Sequence, residues 1–165
     1  MPTVYVSIGS NVDREHNIRS SVSVLREYFP DLLLSSVYET EALGFIGDPF
    51  YNLVVGFETE KSASEIIDLL HHVESQHGRL RGGEKFSSRT LDLDLLLYGQ
   101  QVFSDQDIPR AEITRYEFVL LPLSEIAPNF MHPTLKKPLQ ELWDAFEIDH
   151  KENRSAIHVI EFPWD

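Results

Sequence analysis

From Thr3 to Tyr98 the apolar residues keep changing period, and the order of those changes restricts the chain to few folds. Thr3 to Ile8 alternates and is rich in β-branched residues, which predicts a strand ending at the turn-like Gly9-Ser10-Asn11. From about Asp13 to Phe29, the residues Ile18, Val22, Leu25 and Phe29 recur at helical spacing, and Pro30 stops that helix. Leu32 to Tyr38 predicts a second strand and Asn52 to Glu58 a third, with a loop over Glu39 to Phe50 that holds Gly44, Gly47 and Pro49. Ser62-Ala63-Ser64-Glu65 has the spacing of a capping box, in which two side chains satisfy two helical N–H groups reciprocally. Ile66, Leu69, Leu70 and Val73 then give the next helix its apolar stripe until it ends near Gly78. Leu91 to Tyr98 is the fourth strand. The series predicts a ferredoxin-like α+β sheet, βαββαβ, with its helices on one side. Phe118 to Ile126, a short helix near Leu139 to Phe146 and a strand-like Ala156 to Phe162 are C-terminal additions to that core.

Length and composition narrow the classes. With 165 residues and no repeat, linker or low-complexity stretch, the chain is expected to form one domain over 1–165. No apolar run is long enough to span a bilayer. Met1-Pro2-Thr3 leads straight into the first strand without a basic or apolar leader, so a cytoplasmic protein is expected. The absence of cysteine removes disulfides, thiolate metal sites and thiol nucleophiles. A formal charge of −13 argues against a nucleic-acid binder, and no obligate protein partner is evident. Within this acidic chain Arg79, Arg81, Lys85 and Arg89 form a local basic island. The stretch from Arg79 to Ser88 includes Gly82-Gly83 and has few apolar residues, which predicts a mobile loop.

That loop leads into RTLDLDLLLYG, Arg89 to Gly99. In a strand Asp92 and Asp94 share a face with Cα atoms roughly 6.6 Å apart, while Leu91, Leu93 and Leu95 pack on the other. Two such carboxylates repel, and burying them is unfavourable unless something neutralises them. A divalent cation does so, and oxygen ligands without cysteine favour Mg²⁺ or Mn²⁺; the bland alternative is a strand end with two solvated aspartates. Mg²⁺ held by few carboxylates completes its shell with phosphate oxygens, which the neighbouring arginines could clamp. No Walker A or kinase Gly-rich loop is present.

With these motifs in hand, the chain resembles the 6-hydroxymethyl-7,8-dihydropterin pyrophosphokinase family of folate biosynthesis. The resemblance is carried by VSIGSN (Val6 to Asn11), FYN (Phe50 to Asn52), ESQHGRLR (Glu74 to Arg81), RTLDLDLLLYG, FVLLPLSEIAP (Phe118 to Pro128) and His132-Pro133. It implies a ferredoxin-like α+β fold and transfer of pyrophosphate from ATP to the pterin hydroxymethyl group, releasing AMP. By the same resemblance Asp92 and Asp94 would bind two Mg²⁺ ions, and Arg79 and Arg89 would bind the phosphates. Arg81 and Phe86 would belong to a loop closing over ATP, with Phe86 where the family commonly has Trp. His71 and Glu74 would lie near the nucleotide. Phe50 and Phe118 would sandwich the pterin, Asn52 would hydrogen-bond its edge, and Thr40 and Leu43 would offer backbone groups to that edge. His132 is expected to be structural, and Phe162-Pro163-Trp164 to pack against the domain.

Two departures stand out. Where the family often has Pro-His, this chain has Pro109-Arg110. Where the family has an arginine three residues before the valine of FVL, this chain has Tyr116, with Arg115 one residue out of place. Arg110, Arg115 and Tyr116 are candidates for ATP binding. The departures keep open a divergent paralogue acting on another pterin, or a non-catalytic pterin- or nucleotide-binding protein.

Overall fold

The computed structural model describes residues 1–41, 47–78, 91–150 and 157–164. Its centre is β1 (Thr3–Ser10), paired antiparallel with β4 (Phe50–Glu58) on one side and β5 (Asp92–Tyr98) on the other. β3 (Val37–Thr40) lies outside β4, and β6 (Ile157–Ile160) lies outside β3, giving the order β5-β1-β4-β3-β6. The short β2 (Leu33–Leu34) also pairs with β4. Leaving β6 aside, this is the ferredoxin-like arrangement that the alternating periods predicted.

Alternation along the strands creates two cores. On one face Val4, Val6 and Ile8 of β1, with Leu53, Val55 and Phe57 of β4, pack against α1 (Arg14–Tyr28) and α2 (Ala63–Gln76) through Ile18, Val22, Leu25, Ile66, Leu70 and Val73. On the other, Tyr5 and Val54 pack against α3 (Glu117–Ile126) and α4 (Leu139–Asp149) through Val119, Leu120, Leu123, Leu139, Trp143 and Phe146. The helices of the βαββαβ core thus share one side, and the C-terminal additions cover the other. A fully buried Leu or Ile contributes about 1.5–3 kcal/mol of transfer free energy, so both layers matter to stability.

A register shift in β5 turns one more residue toward the second core. Tyr5 pairs with Leu97 but Val6 pairs with Leu95, so Leu96 is an extra residue, a bulge. Leu91, Leu93 and Leu95 face the first core, whereas Leu96 and Leu97 both face the second.

The single strand expected over Leu32 to Tyr38 is split into β2 and β3. At the break the Ser35 N–H donates to the Val54 carbonyl (2.9 Å), and the Ser35 hydroxyl accepts from the Val54 N–H (2.9 Å). A side chain there does the work of a backbone acceptor and interrupts the ladder. The capping box forms as read: the Glu65 N–H donates to Ser62 Oγ (3.2 Å) and the Ser62 N–H to Glu65 Oε1 (3.0 Å). α2 ends where Gly78 adopts φ +81°, a conformation glycine takes without a Cβ clash. The C-terminal segment packs on the first core through Phe162 and Trp164, and Arg19 donates twice to the Pro163 carbonyl (3.0 and 2.7 Å).

Candidate active site

Strand register brings the candidate residues of separate motifs together. Gly9 of β1 is paired on one side with Asn52 of β4 and on the other with Asp92 of β5. Paired residues project to the same face, and adjacent strands are about 4.8 Å apart, so Asn52 and Asp92 stand roughly 10 Å apart across a bare glycine. Two residues from Asp92 on the same strand, Asp94 is paired with Ser7.

The β4 side of this row is neutral and fixed. Asn52 is buried, and its Nδ2 donates to Thr40 Oγ1 at 2.8 Å. Phe50 is half-buried at the start of β4, two residues away on the same face. Its approach is held by Asn11 Nδ2, which donates to the Asp48 carbonyl (3.1 Å), and by Arg14 Nη1, which donates to the Pro49 carbonyl (2.8 Å). Both Thr40 and Phe50 lie in strands that extend further than the alternation suggested.

The β5 side is charged. Asp94 Oδ1 pairs with Arg110 Nη2 at 3.2 Å, and Arg110 Nε donates to Glu112 Oε1 at 3.3 Å. The Arg110 N–H donates to the Leu96 carbonyl (2.9 Å), which seats its turn against β5. Burial pushes the Asp94 carboxyl up to about 7; the Asp92 charge adds to this and Arg110 opposes it. A cavity of about 290 Å³ opens here between Asp94, Arg110, Gln106 and the α2 residues Ile67, Leu70 and His71.

Glu74, one turn after His71, is buried, and its Oε2 accepts the Leu93 N–H at 2.8 Å. It therefore fastens α2 to the aspartate-bearing strand. Phe118 sits half-buried in the first turn of α3, with Tyr116 stacked on it (centroids 5.0 Å apart, 20° between planes). Arg115 is exposed at the end of the preceding 3₁₀ turn. Leu43, Arg79, Arg81, Phe86 and Arg89 lie outside the described residues. Sequence reasoning did not single out Glu112, the second partner of Arg110, although a carboxylate two residues from a key arginine is a usable signal.

The match to the model of the 7,8-dihydro-6-hydroxymethylpterin-pyrophosphokinase family runs over residues 5–128, across all the site residues just placed. The chain belongs to that family. It is 35% identical over 145 residues to the 2-amino-4-hydroxy-6-hydroxymethyldihydropteridine pyrophosphokinase of Aquifex aeolicus, covering 86% of this chain and 90% of that one. It is 35% identical over 158 residues to the enzyme of the same name from Haemophilus influenzae, covering 92% and 96%. Among solved structures it resembles a Plasmodium falciparum HPPK-DHPS chain with TM-score 0.72 and 13% identity. That match covers 92% of this chain but 43% of the solved one, so this chain spans less than half of that protein. At such identity the likeness speaks for the fold alone.

Proposed function

We propose that this pyrophosphokinase-family chain works as one domain in the cytoplasm, transferring the pyrophosphoryl group of ATP to the hydroxymethyl oxygen of 6-hydroxymethyl-7,8-dihydropterin. The supporting observation is the cross-strand row Asn52–Gly9–Asp92, which sets a buried amide suited to a heterocycle edge about 10 Å from a carboxylate pair suited to a phosphate-bound cation. In the reaction the hydroxymethyl oxygen forms a bond to the β-phosphorus of ATP and loses its proton. The bond from that phosphorus to the bridging oxygen of AMP breaks, and AMP leaves with the electron pair.

Asn52 orients the pterin through its amide, held in place by Thr40, and Phe50 and Phe118 supply ring faces for stacking, worth about 0.5–1.5 kcal/mol per ring pair beyond burial. By their motif positions Thr40 and Leu43 would offer backbone groups to the same edge. His71 and Glu74 border the nucleotide from α2, Glu74 acting through its hold on Leu93. By their motif positions Arg79 and Arg89 would face the charge that builds on the transferring group, and Arg81 and Phe86 would cover ATP. Arg110, paired with Asp94, would take the role of the family's histidine, with Arg115 and Tyr116 binding ATP beside it; the Arg110–Asp94 contact supports this reading.

Asp92 and Asp94 fit Mg²⁺ through their chemistry: two carboxylates on one face, with Asp94 pushed toward neutrality by burial and by the Asp92 charge, which a bound cation would offset. Mg²⁺ held by two carboxylates would complete its shell with ATP oxygens and water. When bound, two Mg²⁺ ions would polarise the phosphates and offset their charge. No helix among the described residues is long and apolar enough to cross a membrane.

The test is product identity. With ATP, Mg²⁺ and hydroxymethyl-dihydropterin the expected nucleotide product is AMP; ADP, or no pterin-dependent turnover, would overturn the assignment.

A further inference from the structure

Gly9 has no conformational reason to be glycine. Its φ lies outside the left-handed region, and it sits in a central strand, where glycine costs about 0.5–1 kcal/mol relative to alanine. What its neighbours require is space. A Cβ built on Gly9 would stand 2.8 Å from Asn52 Oδ1 and 3.9 Å from Phe50 Cδ1. The first distance is shorter than a carbon and an oxygen can hold without displacement. Asn52 cannot yield freely, because it is buried and its Nδ2 is committed to Thr40 at 2.8 Å. Turning the amide away from a new methyl group would break that hydrogen bond and re-aim both ends of the amide.

We propose that Gly9 is a positioning residue for the pterin: its missing side chain leaves the Asn52 amide in its binding orientation. This rests on the reading of Asn52 as the pterin-orienting residue. Gly9 is the shared cross-strand partner of Asn52 and Asp92, so a side chain there would project between the amide and the carboxylate.

A double-mutant cycle measured by calorimetry with hydroxymethyl-dihydropterin tests this. Gly9→Ala should weaken pterin binding on the order of ten-fold, the effect of one or two lost hydrogen bonds, and leave affinity for a non-hydrolysable ATP analogue with Mg²⁺ within about two-fold. In an Asn52→Ala background the same change should alter pterin affinity by less than about two-fold, because the atom it displaces is gone. Equal losses in both backgrounds, no loss in the parent, or a parallel loss of ATP-analogue binding would each overturn the inference. Asn52→Ala without effect on pterin affinity would instead overturn the assignment of the pterin site itself. If Gly9→Ala fails to fold, the double variant decides: a folded double variant supports the contact with Asn52, and an unfolded one marks Gly9 as a packing residue.

Discussion

At the scale of single residues the site is governed by how charge is held in partly buried places. Asp94 is 18% exposed, and its carboxyl, ordinarily at 3.8, is pushed up to about 7 by burial and by Asp92. The folded protein therefore binds a proton that the unfolded chain releases between about pH 4 and 7. The stability contributed by this group is fully present below about pH 4 and lost as pH rises through 7. Asp94→Asn should remove the destabilising charge and make the metal-free protein more stable at pH 8, on the order of 1–3 kcal/mol, with the gain vanishing near pH 4. Arg110 keeps Glu112 as partner in that variant. Denaturant melts at the two pH values measure this, and equal stability of variant and parent at pH 8 would refute it. The same substitution should abolish Mg²⁺-dependent turnover, since an amide is a poor ligand for a hard cation. Phe118→Ala should weaken pterin binding by about 1–3 kcal/mol and ATP binding much less. Unchanged pterin affinity with lowered thermal stability would make Phe118 only the stacking partner of Tyr116. The aspartate pair could be read from its spacing alone. The environment that loads Asp94 could not, because Arg110 and Glu112 come from a turn whose place beside β5 is set by the Arg110 to Leu96 hydrogen bond.

At the scale of elements the site depends on how an edge strand is finished. Among the described residues β5 has no strand on its far side, and its Leu93 N–H meets the buried Glu74 carboxylate of α2 instead. Such a donor left without an acceptor costs about 1–3 kcal/mol, and Leu93 lies between the two aspartates. Glu74→Ala should therefore lower stability by about 2 kcal/mol and reduce kcat by loosening Asp92 and Asp94, whereas Glu74→Gln, which keeps an accepting oxygen, should retain most of both. If Glu74→Gln instead raised the KM for ATP with stability unchanged, Glu74 would act on the nucleotide directly. Element order and type for the βαββαβ core followed from periodicity because each strand buries one face and each helix one stripe. α3 was harder to read. FVLLPLSEI is apolar around most of its circumference, and Pro122 sits inside the helix, so neither a two-residue nor a helical period stands out. The break at Ser35 was hidden for a different reason: a serine that substitutes for a backbone acceptor leaves no mark on the hydrophobic pattern.

At the scale of the whole molecule the sheet is held between two helical layers, and the second is assembled by the turn joining α3 to α4. His132 organises that turn. Its N–H donates to the Lys137 carbonyl (2.9 Å), and its carbonyl accepts from Lys136 (2.9 Å). Its Nδ1 accepts the N–H groups of Thr134 (3.2 Å) and Leu135 (3.1 Å), so the neutral ring carries its proton on Nε2. Burial holds the imidazole below its ordinary 6.5, and a proton on Nδ1 would face two donors rather than two lone pairs. The unfolded chain thus takes up a proton near pH 6.5 that the folded state resists. The stability from a neutral His132 is present above that pH and lost as pH falls through the lower folded value. His132→Asn preserves an accepting oxygen for Thr134 and Leu135 but does not titrate, so it should cost about 1 kcal/mol at pH 8 and lose much of the parent's decline in thermal stability as pH falls below 6.5. If the two proteins share one pH dependence of melting temperature, His132 is a neutral spacer and the acid sensitivity of the second layer lies elsewhere.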